Sequence, residues 1–141
     1  ASFLISKFQA EYIINIGFAG TTDNNADIGD IVMAGRSLLH KSSRFIMCDM
    51  LLGKVENARV ADVITVDEFC SLSCDLYRKD VTQQLYVAME GYGAAAECKR
   101  QQVYFDEIRC VSDYGSMEQL MDHAEMCSER LGKAVVGYLG N

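Results

Sequence analysis

The chain has 141 residues, half of them apolar, with a net charge of −7 and a sequence pI near 4.7. That length supports one domain with a real core, and the even spread of apolar residues excludes disordered and fibrous classes. The acidic balance, with basic residues close together only as pairs such as Lys99 and Arg100, argues against nucleic acid as a partner.

Residues 2–10 (SFLISKFQA) place Phe3, Leu4 and Phe8 on one side, as at the end of a helix. Residues 12–18 (YIINIGF) form the nearly continuous apolar run expected of a strand buried on both faces. Gly17 and Gly20 then predict a tight turn with close backbone approach to a ligand, followed by a polar loop over 21–27. A second strand is expected to start in residues 28–33 (IGDIVM), after a Gly-Asp turn. Residues 36–44 (RSLLHKSSR) read as irregular, and 45–52 (FIMCDMLL) as either strand or buried helix. A turn over 53–58 leads to a strand over 59–66 (RVADVITV) and an acid- and hydroxyl-rich loop with some helix over 67–80.

Next comes an apolar run over 85–89 that reaches Glu90, a helix over 91–101 (GYGAAAECKRQ), and a second run over 108–112 that reaches Asp113. This reads as strand–helix–strand with a carboxylate at the carboxyl end of each strand, the edge where open α/β sheets bind ligands. Beyond it, Met117, Leu120, Met121, Ala124, Cys127, Leu131, Ala134, Val135 and Tyr138 recur at helical spacing. Ser116 and Gln119 suggest a capping box at that helix start, and the methionines read as core filler.

Six cysteines fall at 48, 70, 74, 98, 110 and 127, several of them inside apolar runs. Cys70 and Cys74 lack the second pair or spaced His that a zinc site needs. No run approaches the length of a membrane span, and the start lacks a signal-peptide pattern. A reduced, cytoplasmic domain without metal or organic cofactor is the expectation. There is no proline, where average usage would give about seven; we have no physical account of that, and it leaves the turns to Gly, Asn and Asp.

The order of motifs resembles the purine nucleoside phosphorylase and nucleosidase superfamily, and within it the methylthioadenosine/adenosylhomocysteine nucleosidases. Residues 13–20 (IINIGFAG) and 28–32 (IGDIV) resemble that family's I-I-N-x-G-x-A-G and I-G-D-[IV]-V. Residues 65–69 (TVDEF) are similar to its purine-holding loop, Met89-Glu90 to its ribose-binding M-E, and residues 109–113 (RCVSD) to its R-x-[IV]-S-D.

The resemblance implies a three-layer α/β/α fold around a central mixed sheet, with the family's first strand lying ahead of Ala1. It also implies cleavage of the N-glycosidic bond of a purine nucleoside, by water or by phosphate, in a homodimer. Asp113 would protonate the departing base, Ser112 would orient Asp113, and Arg109 would lie near the nucleophile. Glu90 and Met89 would hold the sugar and Phe69 would cover the purine, with Phe18 and Gly20 at the site. Two departures stand out. Ala88 occupies a position where nucleosidases usually carry another acid, and Phe18 one where a small or hydroxyl residue is common. A binding or storage protein on the same fold is the alternative, as is a phosphorylase. On the residues alone the plainer reading comes first: Glu90 caps a helix start, where a negative charge is favoured, and Asp113 sits in a turn.

Overall fold

The computed structural model describes residues 1–69 and 84–140. Its elements run α1 (Ser2–Phe8), β1 (Tyr12–Thr21), β2 (Ile31–Leu39), β3 (Phe45–Met47), β4 (Arg59–Thr65), β5 (Tyr86–Ala88), α2 (Gly91–Arg100), β6 (Tyr104–Asp113) and α3 (Met117–Leu139). The strands form one mixed sheet in the order β3-β2-β4-β5-β1-β6, and β2 also pairs with β6, so the sheet curls round on itself.

One core cluster joins Ile5 of α1 and Ala95 and Cys98 of α2 to Val32, Ala34, Phe105 and Val111. The other joins Cys127, Leu131 and Tyr138 of α3 to Met33, Ile108 and Cys110. Alternate residues of one strand thus face opposite helical layers, as the period of two requires. This is the expected α/β/α arrangement around a mixed sheet. No helix of the described residues is long and apolar enough to cross a membrane.

Several local expectations change. Residues 17–20 do not turn: β1 continues to Thr21, paired in parallel with β6 from Tyr12 to Gly20. Nor is β1 buried along its length, for Ile16 is 50% exposed. Residues 36–39 belong to β2, because the polar side chain that looked irregular has a cross-strand partner: Arg36 Nε donates to Asp62 Oδ1 at 2.9 Å. Residues 45–52 form three residues of strand and then a loop. The loop's amides at Met50 and Leu51 are taken by the Asp106 carboxylate, at 2.5 and 3.2 Å.

β6 begins four residues earlier than expected, at Tyr104, because Asp106 and Glu107 are fully buried despite their charge. In α3, Met117 and Met121 are exposed, not core. Cys127 is the first residue of that helix that is fully buried, its thiol 3.3 Å from Val111 O. Ten residues of helix, about 15 Å, separate it from Met117, and over that stretch the helix is at most half-buried.

The α3 start is capped by Ser116, whose hydroxyl accepts from Gln119 N–H at 3.3 Å. The reciprocal half differs from the expected box: Gln119 Oε1 accepts from Tyr114 N–H, at 2.9 Å. Cys48, Cys98, Cys110 and Cys127 are buried and unpaired, and burial pushes the Cys48 and Cys110 thiols up to about 12. Cys70 and Cys74 lie outside the described residues, as does most of the expected 67–80 loop.

Candidate active site

β1 runs between β5 and β6, antiparallel to the first and parallel to the second. The two carboxylates therefore do not share one carboxyl edge, as the strand–helix–strand reading required. Extending the β1–β5 pairing of Gly20 with Val87 brings Glu90 level with Gly17, which is itself paired with Arg109. Asp113 lies four residues further along β6. The acids instead face one cavity of about 370 Å³ from two sides. It is lined by Phe18, Gly20, Phe69, Met89, Glu90, Arg109, Ser112 and Asp113, so every residue singled out from the sequence meets there. The volume lies in the range of small-molecule sites.

At one end, Asp113 is buried to 1% exposure. Its Oδ2 accepts from the Ser112 hydroxyl at 2.7 Å and its Oδ1 from Gly115 N–H at 2.8 Å. Gly115 has φ +89°, a conformation glycine adopts without a Cβ penalty, and this aims its amide back at the carboxylate. The parallel register slips between Ala19 and Gly20, so that Gly20 pairs with Asp113 and no side chain stands between that residue and the cavity.

At the other end, Arg109 is 1% exposed. Its Nη1 donates to Glu90 Oε2 at 3.0 Å and its Nε to Glu107 Oε1 at 2.8 Å. Gly17 makes room for it, since a Cβ there would stand 2.4 Å from Nη1. Glu90 is the N-cap residue of α2 but makes no side-chain capping bond. Its side chain, 66% exposed, is paired with Arg109, so Glu90 stands at the helix start as the alternative reading had it while its carboxylate faces the cavity.

Met89 (45% exposed), half-buried Phe69 and Leu120 of α3 add apolar wall. No group of three or more metal-ligating side chains occurs among the described residues.

Two residues escaped the sequence reading. Asn15 lines the cavity with a buried Nδ2 that has no hydrogen-bond partner among the described residues. Glu107 is fully buried behind Arg109. A signal for Glu107 existed, because the segment FDEIR sets charges inside a strand, and a buried charge requires a partner.

A family model described as the phosphorylase superfamily matches residues 1–140. The chain belongs to the phosphorylase superfamily. Solved structures with the same fold include a methylthioadenosine/S-adenosylhomocysteine nucleosidase from Colwellia psychrerythraea in complex with adenine. It is 24% identical, with TM-score 0.87, covering 99% of this chain and 70% of that one. An S-adenosylhomocysteine nucleosidase from Streptococcus pyogenes, in complex with 5-methylthiotubericidin, is 22% identical with TM-score 0.85, covering 98% and 71%. A futalosine hydrolase mutant of Helicobacter pylori is 18% identical with TM-score 0.83, covering 99% and 73%. The fold of this superfamily member is thus found in more than one named enzyme.

Proposed function

We propose that this superfamily member binds a purine nucleoside in the 370 Å³ cavity and cleaves its N-glycosidic bond. The preferred substrate is methylthioadenosine or adenosylhomocysteine, with release of adenine. One observation carries the reading: a buried carboxyl group with two fixed donors (Asp113) and a carboxylate–guanidinium pair (Glu90 and Arg109) face one small apolar cavity.

Cleavage leaves negative charge on the departing purine and positive charge on the sugar. Asp113 serves as the acid that protonates the base at N7, making it a better leaving group. The Ser112 hydroxyl and Gly115 amide both donate to Asp113 and hold its carboxyl group in place for that transfer. Glu90 accepts hydrogen bonds from the sugar hydroxyls and stabilises the oxocarbenium-like state electrostatically. Met89 packs against the sugar and Phe69 against the purine, while Phe18 and Gly20 shape the wall between them. Arg109 stands beside the attacking group. No metal or organic cofactor enters this reading, and a homodimer whose neighbour closes the cavity belongs to it; light scattering of the purified chain checks the dimer.

The deciding assay is adenine release from methylthioadenosine, with Asp113→Asn as control. Release that disappears in the variant is expected, while calorimetry still detects nucleoside binding. Normal turnover in Asp113→Asn would falsify the assignment of the acid, and absence of any nucleoside affinity in the parent chain would remove the whole reading.

A further inference from the structure

Arg109 is the one basic residue among those that line the cavity, and carboxylates meet it from two sides: Nε and Nη1 donate to them, while Nη2 is ion-paired without a hydrogen bond among the described residues. Glu107, two residues earlier on the same face of β6, is fully buried against it. Glu107 Oε1 accepts the Nε–H at 2.8 Å and lies 2.7 Å from Nη2, while Nη1 turns to Glu90 at 3.0 Å. The carboxylate fits only because position 91 is glycine: a Cβ there would stand 2.2 Å from Oε1 and 2.4 Å from Oε2. Glu107 Oε2 has no hydrogen-bond partner among the described residues. It rests against the first turn of α2, where a negative charge is favoured by the helix dipole.

One guanidinium is thus paired with two carboxylates, those of Glu90 and Glu107, and the acid at the other end of the cavity is Asp113. An anion entering here would lose its hydration and meet no uncompensated cation. A neutral water incurs no such penalty, and the orphan amide of Asn15 offers it a donor.

We propose that Glu107 is a positioning residue that decides the nucleophile. By pinning Arg109 and cancelling its charge, it keeps inorganic phosphate out of the cavity and leaves water as the attacking group. The inference rests on the cleavage reading above and deepens it. In that reaction the water oxygen bonds to the sugar C1′ as the C1′–N9 bond breaks. The bonding pair leaves with the purine, which takes the proton of Asp113, and the proton lost by the water returns the acid to its starting state. The products are free base and free sugar.

The test compares the parent chain with Glu107→Gln, which removes the charge and keeps the size. Inorganic phosphate is titrated against sodium chloride of equal ionic strength, with thermal melting as a readout that needs no turnover. Products formed from methylthioadenosine are followed in parallel by phosphorus NMR. Expected are no saturable phosphate effect and no sugar phosphate with the parent chain. In Glu107→Gln, phosphate should raise the melting temperature saturably, with an apparent affinity at least about tenfold tighter. If Glu107→Gln does not fold, Gly91→Ala serves as the second variant, since its Cβ displaces the carboxylate, and the same gain is expected.

Sugar phosphate production or saturable phosphate binding by the parent chain overturns the proposal. So does a folded variant that phosphate leaves unmoved. Failure of the cleavage reading shows separately, as absence of nucleoside binding, and the phosphate titration stands without it.

Discussion

Two neighbouring acids on β6, Asp106 and Glu107, are both fully buried and point to opposite faces of the sheet. Asp106 is saturated. Its carboxylate accepts from Tyr12, from Tyr138 at 2.8 Å, and from the amides of Met50 and Leu51. The Tyr138 hydroxyl in turn accepts from Leu52 N–H at 3.1 Å, so the cluster fastens α3, β1 and the loop after β3 to one point. Glu107 is not saturated: its Oε2, the Nη2 of its partner Arg109 and, nearby, the Asn15 amide nitrogen have no hydrogen-bond partner among the described residues. Polar atoms whose partners are all internal serve cohesion. Those left open beside a cavity have capacity reserved for a ligand.

Substitutions on the two faces should therefore separate stability from activity. The largest effect is expected at the cavity: Asp113→Asn should lower base release by about 10²–10⁴-fold with an unchanged melting curve. Loss of folding in that variant would mean that Asp113 belongs to the cohesive class. On the other face, Asp106→Ala should destabilise by about 3–5 kcal/mol, read by denaturant unfolding, because it strands two tyrosine hydroxyls and two loop amides at once. A shift under 1 kcal/mol would show the network to be dispensable.

Gly17→Ala sharpens the contrast within the cavity, since its Cβ would stand 2.4 Å from Arg109 Nη1 and force the guanidinium away from Glu90. Nucleoside cleavage should fall by about tenfold or more, with stability lowered by about 1–3 kcal/mol.

The smallest effect is a pH dependence. Burial, and then the hydrogen bond to Asp23, raise the Tyr86 phenol from 10 to about 12. A group raised in the folded state adds stability that is complete below its unfolded pKa and is lost as pH rises through the folded one. The Tyr86 contribution should therefore be full below pH 10 and fade by about pH 12, adding to losses from the raised Cys48 and Cys110 thiols. Tyr86→Phe should flatten the slope of stability against pH in that window. An unchanged slope would remove Tyr86 from the account.

Much of the molecule is written in local pattern. The α2 helix emerges from its alanines and long side chains, and the start of α3 from Ser116. Glu90 and Asp113 could be picked out before any fold was known, as carboxylates at the ends of apolar runs, although a helix cap and a turn would also place them there. Arg109 and Ser112 were added by the motif resemblance. What local pattern could not decide was pairing. That β5 runs antiparallel to β1, setting Glu90 opposite Arg109 and away from the Asp113 end, depends on strand order, which no run of residues encodes by itself. The same holds for Asp106 and Glu107. As residues they look like solvent-facing polar positions, and only the partners that folding brings to them (two tyrosines and loop amides on one face, Arg109 on the other) make their burial affordable. Composition and spacing determined which side chains were available for chemistry. The free energy of desolvating them, met by contacts between segments far apart in sequence, decided which became structure and which became site.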